Sequence, residues 1–228
     1  MSNFLSKTNL PNYCYNQFIV ILMFTLLGCY LSLETYHPVY SVLSLMFLTV
    51  YSYLIHYLCH RLPDSVNLHA MFHHLPSVEW WRKTVHLMIE TTVNIGFFAL
   101  VYGFQRLCQT EFIPTILIVY YGIIYVSVHI INYSLCHASP KHVLHHHTCD
   151  PAAAAAADDT TKPTKTATKN YGPDTIDHLF GTNDDDTFEN LNHMIPNILV
   201  AFFFCWYFFT QEKIESVCVE LVPMNKEQ

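Results

Sequence analysis

Histidines set at helix-turn spacing are the residues of this chain best suited to chemistry. The first group is His56-Tyr-Leu-Cys-His60 and the second is His69-Ala-Met-Phe-His73-His74. The third is His137 followed by His142-Val-Leu-His145-His146-His147, with His129 eight residues before His137. Together they account for eleven of the fifteen histidines. On a helix, residues three and four apart share a face. His56 then pairs with His60, His69 with His73, and His142 with both His145 and His146. Imidazole is the commonest protein metal ligand, and it is costly at a bilayer edge unless it has a task. So many neutral imidazoles suit iron or zinc better than magnesium or calcium. A structural zinc takes four ligands, so the number points to two metal ions. Cys59, Cys136 and Cys149 lie nearby, but none is paired with another at ligand spacing. His37, His86 and His193 read as structural or interfacial residues. His147 stands beyond the spacing of its group, and its role stays open.

The elements that must position these groups are apolar. Hydrophobic residues make up 52% of the 228-residue chain and charged residues 13%, a balance foreign to a soluble domain of this size. The net charge of −7, with no basic stripe, argues against a nucleic-acid partner. Eight cysteines without CxxC pairs read as small apolar packing residues in a reducing compartment. No secretory leader is expected, because no small-residue cleavage site follows the first apolar run. A spanning helix needs about 20 apolar residues. Four segments qualify or nearly so: 18–33, 39–58, 85–104 and 113–136. The fold class expected is therefore all-α and integral to a membrane, with four transmembrane helices and a histidine-rich helical cap.

A fifth apolar run, 195–210, would rise only about 24 Å as a helix. It is expected to dip into the membrane and return, or to lie in the interface. With the N-terminus in the cytosol, Lys7, Arg61, Arg82, Lys83, Lys141, Lys162, Lys165 and Lys169 face the cytosol and Arg106 the other side. This satisfies the positive-inside rule and places every histidine group on the cytosolic face, with both termini there too. Residues 151–169, with six alanines from Ala152 to Ala157 and a Thr/Lys/Pro tract, read as a flexible insertion in a cytosolic loop. After it comes Asn170-Tyr-Gly-Pro-Asp-Thr-Ile-Asp-His-Leu-Phe-Gly-Thr182, a loop with two glycine turns. Asp177 within it could orient a ligating imidazole from behind.

In this order the motifs resemble the fatty acid hydroxylase and sterol desaturase superfamily of membrane di-iron oxygenases. Its members carry HxxxH or HxxxxH, two HxxHH boxes, and an asparagine-tyrosine-glycine stretch ending in D-x-x-F-G-T. Here the matching residues are HYLCH at His56–His60, HVLHH at His142–His146, NYG at Asn170–Gly172 and DHLFGT at Asp177–Thr182. The resemblance covers roughly residues 56–182. Acyl-CoA desaturases are less similar, since only eight residues separate His60 from His69 and the NYG…FGT signature is present. Three departures stand out. The second box reads HxxxHH, Tyr133 stands where several members have a further histidine, and the gap from His147 to Asn170 is long.

The resemblance implies two iron ions, with zinc as a substitute in a purified preparation. It implies His56, His60, His69, His73, His74, His137, His142, His145 and His146 as ligands and Asp177 behind them. The chain then divides into a cytosolic segment 1–17, a hydroxylase-like membrane domain 18–194 with the insertion 151–169, and an apolar segment with its tail, 195–228. The activity implied is O2-dependent hydroxylation or desaturation of a membrane lipid, a fatty acyl chain or a sterol. No flavin, nicotinamide or haem-binding motif is present in the sequence. Electrons would therefore come from a cytochrome-b5-type protein or a reductase. In a eukaryotic cell the endoplasmic reticulum is the expected membrane. The alternative is an inactive relative acting as a lipid-binding or scaffold protein.

Overall fold

The computed structural model describes residues 12–63, 66, 68, 80–136, 170–183, 188 and 190–221, with backbone alone at 14, 80, 133, 134 and 212–221. Every regular element among the described residues is helical. A π-helical turn, Cys14–Phe18, leads into α1 (Ile19–Ser32). Then follow α2 (Pro38–Cys59), α3 (Trp80–Leu107) and α4 (Thr115–Ser127), which passes directly into a π-helical stretch, Val128–Leu135. A short helix, α5 (Asp174–Phe180), precedes the long α6 (Leu191–Leu221).

Among the described residues five stretches are long and apolar enough to cross a membrane: Tyr15–Ser32, Pro38–Cys59, Trp81–Leu107, Thr115–Asn132 and Leu191–Gln211. The burial pattern suits lipid as solvent. Leu43, Met46, Phe47, Met88, Leu100, Phe203 and Trp206 face outward, while Ser41, Ser52, Asn94, Asn132 and Asn197 are buried. Small and polar residues between helices are the contacts that hold a bundle together in lipid, where apolar side chains gain little by turning inward.

The fifth stretch differs from its expected form. The helix α6 is uninterrupted over 31 residues and does not turn back. Leu191 N–H donates to Asn16 Oδ1 at 3.1 Å near the start of α1, and Phe209 stacks on Tyr30 at 4.6 Å near its other end. The helix therefore runs the full length of the bundle beside α1. Apolar side chains all round, which suit a crossing better than an interface, account for this. Sixteen residues looked short, but the helix extends past both ends of that run.

The helix α4 packs against α1, α2, α3 and α6 and forms the axis of the bundle. Leu117, Ile118, Tyr120 and Ile124 meet Leu45 and Leu48 of α2, Phe98 and Val101 of α3, and Ala201 and Cys205 of α6. At Gly28 the helices approach closely. A Cβ there would lie 2.9 Å from Leu45 Cδ1 and 3.0 Å from Tyr120 Cε1. The α1–α2 hairpin is closed by the Ser32 and Ser41 hydroxyls at 2.7 Å. His37 caps α2, its Nδ1 accepting from Val39 N–H at 3.3 Å, with Pro38 at the first helical position. This cap gives a structural role to a residue expected only to be an interfacial polar one.

Candidate metal centre

His56 and His60 lie in the last turn of α2, at the end of the bundle opposite the α1–α2 and α3–α4 loops. Their Nε2 atoms are 3.1 Å apart. Two imidazole nitrogens, each about 2.1 Å from one ion, stand about 3 Å apart at a right angle. The separation is that of an N–H···N hydrogen bond, and it is also compatible with both nitrogens binding one ion. His56 is 3% exposed, and its Nδ1–H donates to the Tyr171 carbonyl at 2.5 Å. That bond fixes the tautomer and leaves the Nε2 lone pair directed at the His60 side, the arrangement a ligating histidine requires.

The loop that holds His56 is the NYG…FGT signature, and its backbone explains its residues. Asn170 has φ 60° and Gly172 φ 64°. These left-handed conformations are tolerated by asparagine and favoured by glycine. Asn170 N–H donates to the Thr182 carbonyl at 2.8 Å and closes the loop. Gly181, φ 71°, ends α5 in the left-handed cap that glycine supplies. Asp177, 1% exposed, gathers the loop. It accepts from Tyr171 N–H at 3.0 Å, Gly172 N–H at 2.5 Å and the Thr182 hydroxyl at 2.7 Å. Burial pushes its carboxyl up to about 7, against the pull of those three donors. Asp177 was expected to orient an imidazole directly. Instead it fixes the Tyr171 peptide, and the Tyr171 carbonyl orients His56.

Aromatic rings seat this loop on α2. Tyr53 stacks on Phe180 at 5.2 Å, meets Tyr171 edge-on at 6.0 Å, and its hydroxyl lies 3.1 Å from Thr182 Oγ1. Tyr57 meets Tyr171 at 5.1 Å and receives a 2.7 Å hydrogen bond from Arg61. In α5, His178 stacks on Phe188 at 4.1 Å and pairs with Asp174 at 3.7 Å.

His129, outside the regular boxes, is brought to the same place. It is 3% exposed, and its ring centroid lies 6.2 Å from that of His56 and 4.3 Å from that of Tyr125. Its Nδ1–H donates to the Tyr125 carbonyl at 3.0 Å. His129 sits at the start of the π-helical stretch, where the wider turn departs from regular α-helical spacing. Single π turns are frequent at functional sites for that reason. Two hydrogen bonds anchor this part of α4 to α6: Asn197 Nδ2 donates to Ser127 Oγ at 3.1 Å and Asn132 Nδ2 to Met194 Sδ at 3.5 Å.

The sequence reading passed over Glu90 and Asn94. They lie one turn apart on α3, 7% and 2% exposed, within a membrane-spanning stretch. Glu90 is within electrostatic reach of Tyr125, the residue on which His129 stacks. A carboxylate and an amide four residues apart in an apolar run were the available signal.

His69, His73, His74, His137, His142, His145, His146 and His147 lie outside the described residues, as does the insertion 151–169. Among the described residues no three or more His, Cys, Asp or Glu side chains converge to hold a metal. Of the candidate centre the described residues include the His56–His60 pair, with His129 beside His56. No protein-family profile, curated protein or solved structure matches the chain.

Proposed function

We propose that the protein is a membrane di-iron oxygenase that hydroxylates or desaturates a lipid, a fatty acyl chain or a sterol, with O2 and an external electron donor. The observation that carries this reading is the His56–His60 pair, with Nε2 atoms 3.1 Å apart and His56 held by the Tyr171 carbonyl. Two iron ions, when bound, would supply the O2 activation needed to remove hydrogen from an unactivated C–H bond. The remaining ligands in this proposal are His69, His73, His74, His137, His142, His145 and His146.

The protein's own residues do the rest. Tyr171 orients His56 and Asp177 keeps the Tyr171 peptide rigid, so the ligand needs no reorganisation when metal arrives. Tyr53, Tyr57 and Phe180 line this side with rings. Helices α1 to α4 and α6 would sit in the bilayer, where a lipid tail can approach from below and a cytochrome-b5-type protein or reductase from the aqueous side.

We place the histidine end in the cytosol. With α6 as a fifth crossing, the C-terminus falls on the other side with Lys213 and Lys226. Eight of the eleven basic residues still lie at the histidine end, in accord with the positive-inside rule. Cysteine labels at Lys165 and Lys226 should react from opposite faces of sealed vesicles. Labelling of both from one face would return the chain to four crossings.

The activity is tested with purified, iron-loaded protein in vesicles, given a reductase system, O2 and a broad lipid extract. The expected product is heavier by one oxygen or lighter by two hydrogens, and labelled O2 distinguishes oxygen insertion from hydration. Oxygen uptake no greater than without protein would favour the alternative, a lipid-binding or scaffold protein.

A further inference from the structure

A groove of about 570 Å³ runs between α3 and α4. Ala99 and Tyr102 line it from α3, and Gly122, Val126, Ile130 and Ile131 from α4. It opens sideways, on the face that the bundle would turn to lipid. On α4 it extends from Thr115 to Ile131, a rise of about 24 Å, most of the roughly 30 Å hydrocarbon thickness of a bilayer. One end reaches the π-helical stretch. Ile130 lines the groove, and its neighbour His129 faces His56 from the adjoining face of the same turn.

We propose that this groove seats one acyl chain of a membrane lipid, extended along α4 with its head end beside the turn that carries His129. The dimensions select the occupant. A volume of 570 Å³ spread over about 24 Å leaves a cross-section of about 24 Å². A helix about 10 Å across would need about 80 Å², so a helix from a second copy does not fit. A single methylene chain does. The polarity confines the headgroup. A headgroup cannot descend an apolar slot without losing its hydration, so it stays at one of the two aqueous edges, and the proposal assigns it to the histidine end. The missing Cβ at Gly122 deepens the floor: a methyl there would meet Phe98 at 3.4 Å.

As the seat of a substrate tail, the groove rests on the oxygenase reading; as a lipid site it is tested separately. The full chain is reconstituted in phosphatidylcholine vesicles containing a trace of phosphatidylcholine with a diazirine on one tail. After illumination the adducts are mapped by mass spectrometry. Adducts should concentrate on residues 95–102 and 115–131. Ala99→Phe and Gly122→Phe, which fill the groove, should each reduce them at least about fivefold, the equivalent of about 1 kcal/mol of lost fit. Met46→Phe, on the outward face of α2, should leave them unchanged. Ala99 is exposed, so Ala99→Phe fills the groove without entering the core and decides the matter if Gly122→Phe fails to fold. Adducts spread as heavily over Phe203 and Trp206, or unchanged by Ala99→Phe, would overturn the proposal. So would a dimer that Ala99→Phe dissociates without reducing the adducts. The labelling needs neither iron nor O2. A chain that labels in the groove but never consumes O2 keeps the lipid site and loses the oxygenase. A chain that oxidises lipid without groove labelling does the reverse.

Discussion

The two ends of the bundle solve different problems with similar residues. At the far end two short loops are tied by Glu111. It accepts from Tyr36 hydroxyl at 2.9 Å, Thr115 N–H at 2.8 Å and the Thr115 hydroxyl at 3.0 Å. These bonds, the Thr115 backbone donor first, hold its carboxyl below the usual range. All of them are exposed, and each closes a turn that the chain must make in any case. At the histidine end Asp177 also accepts three bonds, but it is buried, it lies far from α2 in sequence, and its effect passes through Tyr171 to a ring nitrogen of His56. Burying a carboxylate and imidazoles is costly, and connecting helices does not require it. The far end shows how little polar structure the bundle needs to fold. The additional polar structure at the histidine end is what the proposed metal centre would require.

The contrast is broken most directly by His56→Ala. It should eliminate lipid oxidation and leave the helical content of the chain unchanged, as read by product analysis and circular dichroism. Activity close to that of the unaltered protein would remove His56 from the centre. Asp177→Asn comes next. It puts an NH2 group either against the Gly172 N–H or against the Tyr171 N–H and the Thr182 hydroxyl. Metal affinity should fall about 10- to 100-fold, and thermal unfolding should show a loss of about 1–3 kcal/mol. An unchanged affinity would mean that the loop does not govern His56.

Away from the histidines, stability and metal binding should separate. Gly28→Leu forces a side chain against Leu45 and Tyr120. It should cost about 1–3 kcal/mol, with metal content per folded chain unaltered. A loss of metal would tie the centre to packing deep in the bundle. Smallest of all is Glu111→Gln, an exposed change expected to cost no more than about 1 kcal/mol and to leave metal content alone. Each is read as a melting temperature and an elemental analysis on the same sample.

The sequence revealed the helices more fully than the site. Apolar runs predicted α1 to α4 closely, because length and hydropathy are local properties. The character of α6 was not local: Asn16 and Tyr30 on another helix show that it travels the length of the bundle. The i,i+4 rule placed His56 against His60 correctly, since both occupy one regular helix. It made no assignment for His129, which sits in a π-helical stretch that has no sequence signature here. Asp177 was identified as a support, but the intervening Tyr171 carbonyl was invisible, since a backbone acceptor leaves no trace in residue type. Glu90 and Asn94 stand alone in an apolar run, and only the packing of α3 shows that they are buried.

The measurement that tests the account most directly is the metal content of the full chain purified from cells supplied with iron. Elemental analysis should find two tightly held iron ions per chain, or zinc in their place, retained through gel filtration. A folded, monodisperse protein that retains no metal would contradict the central claim, and its buried histidines would then need another explanation.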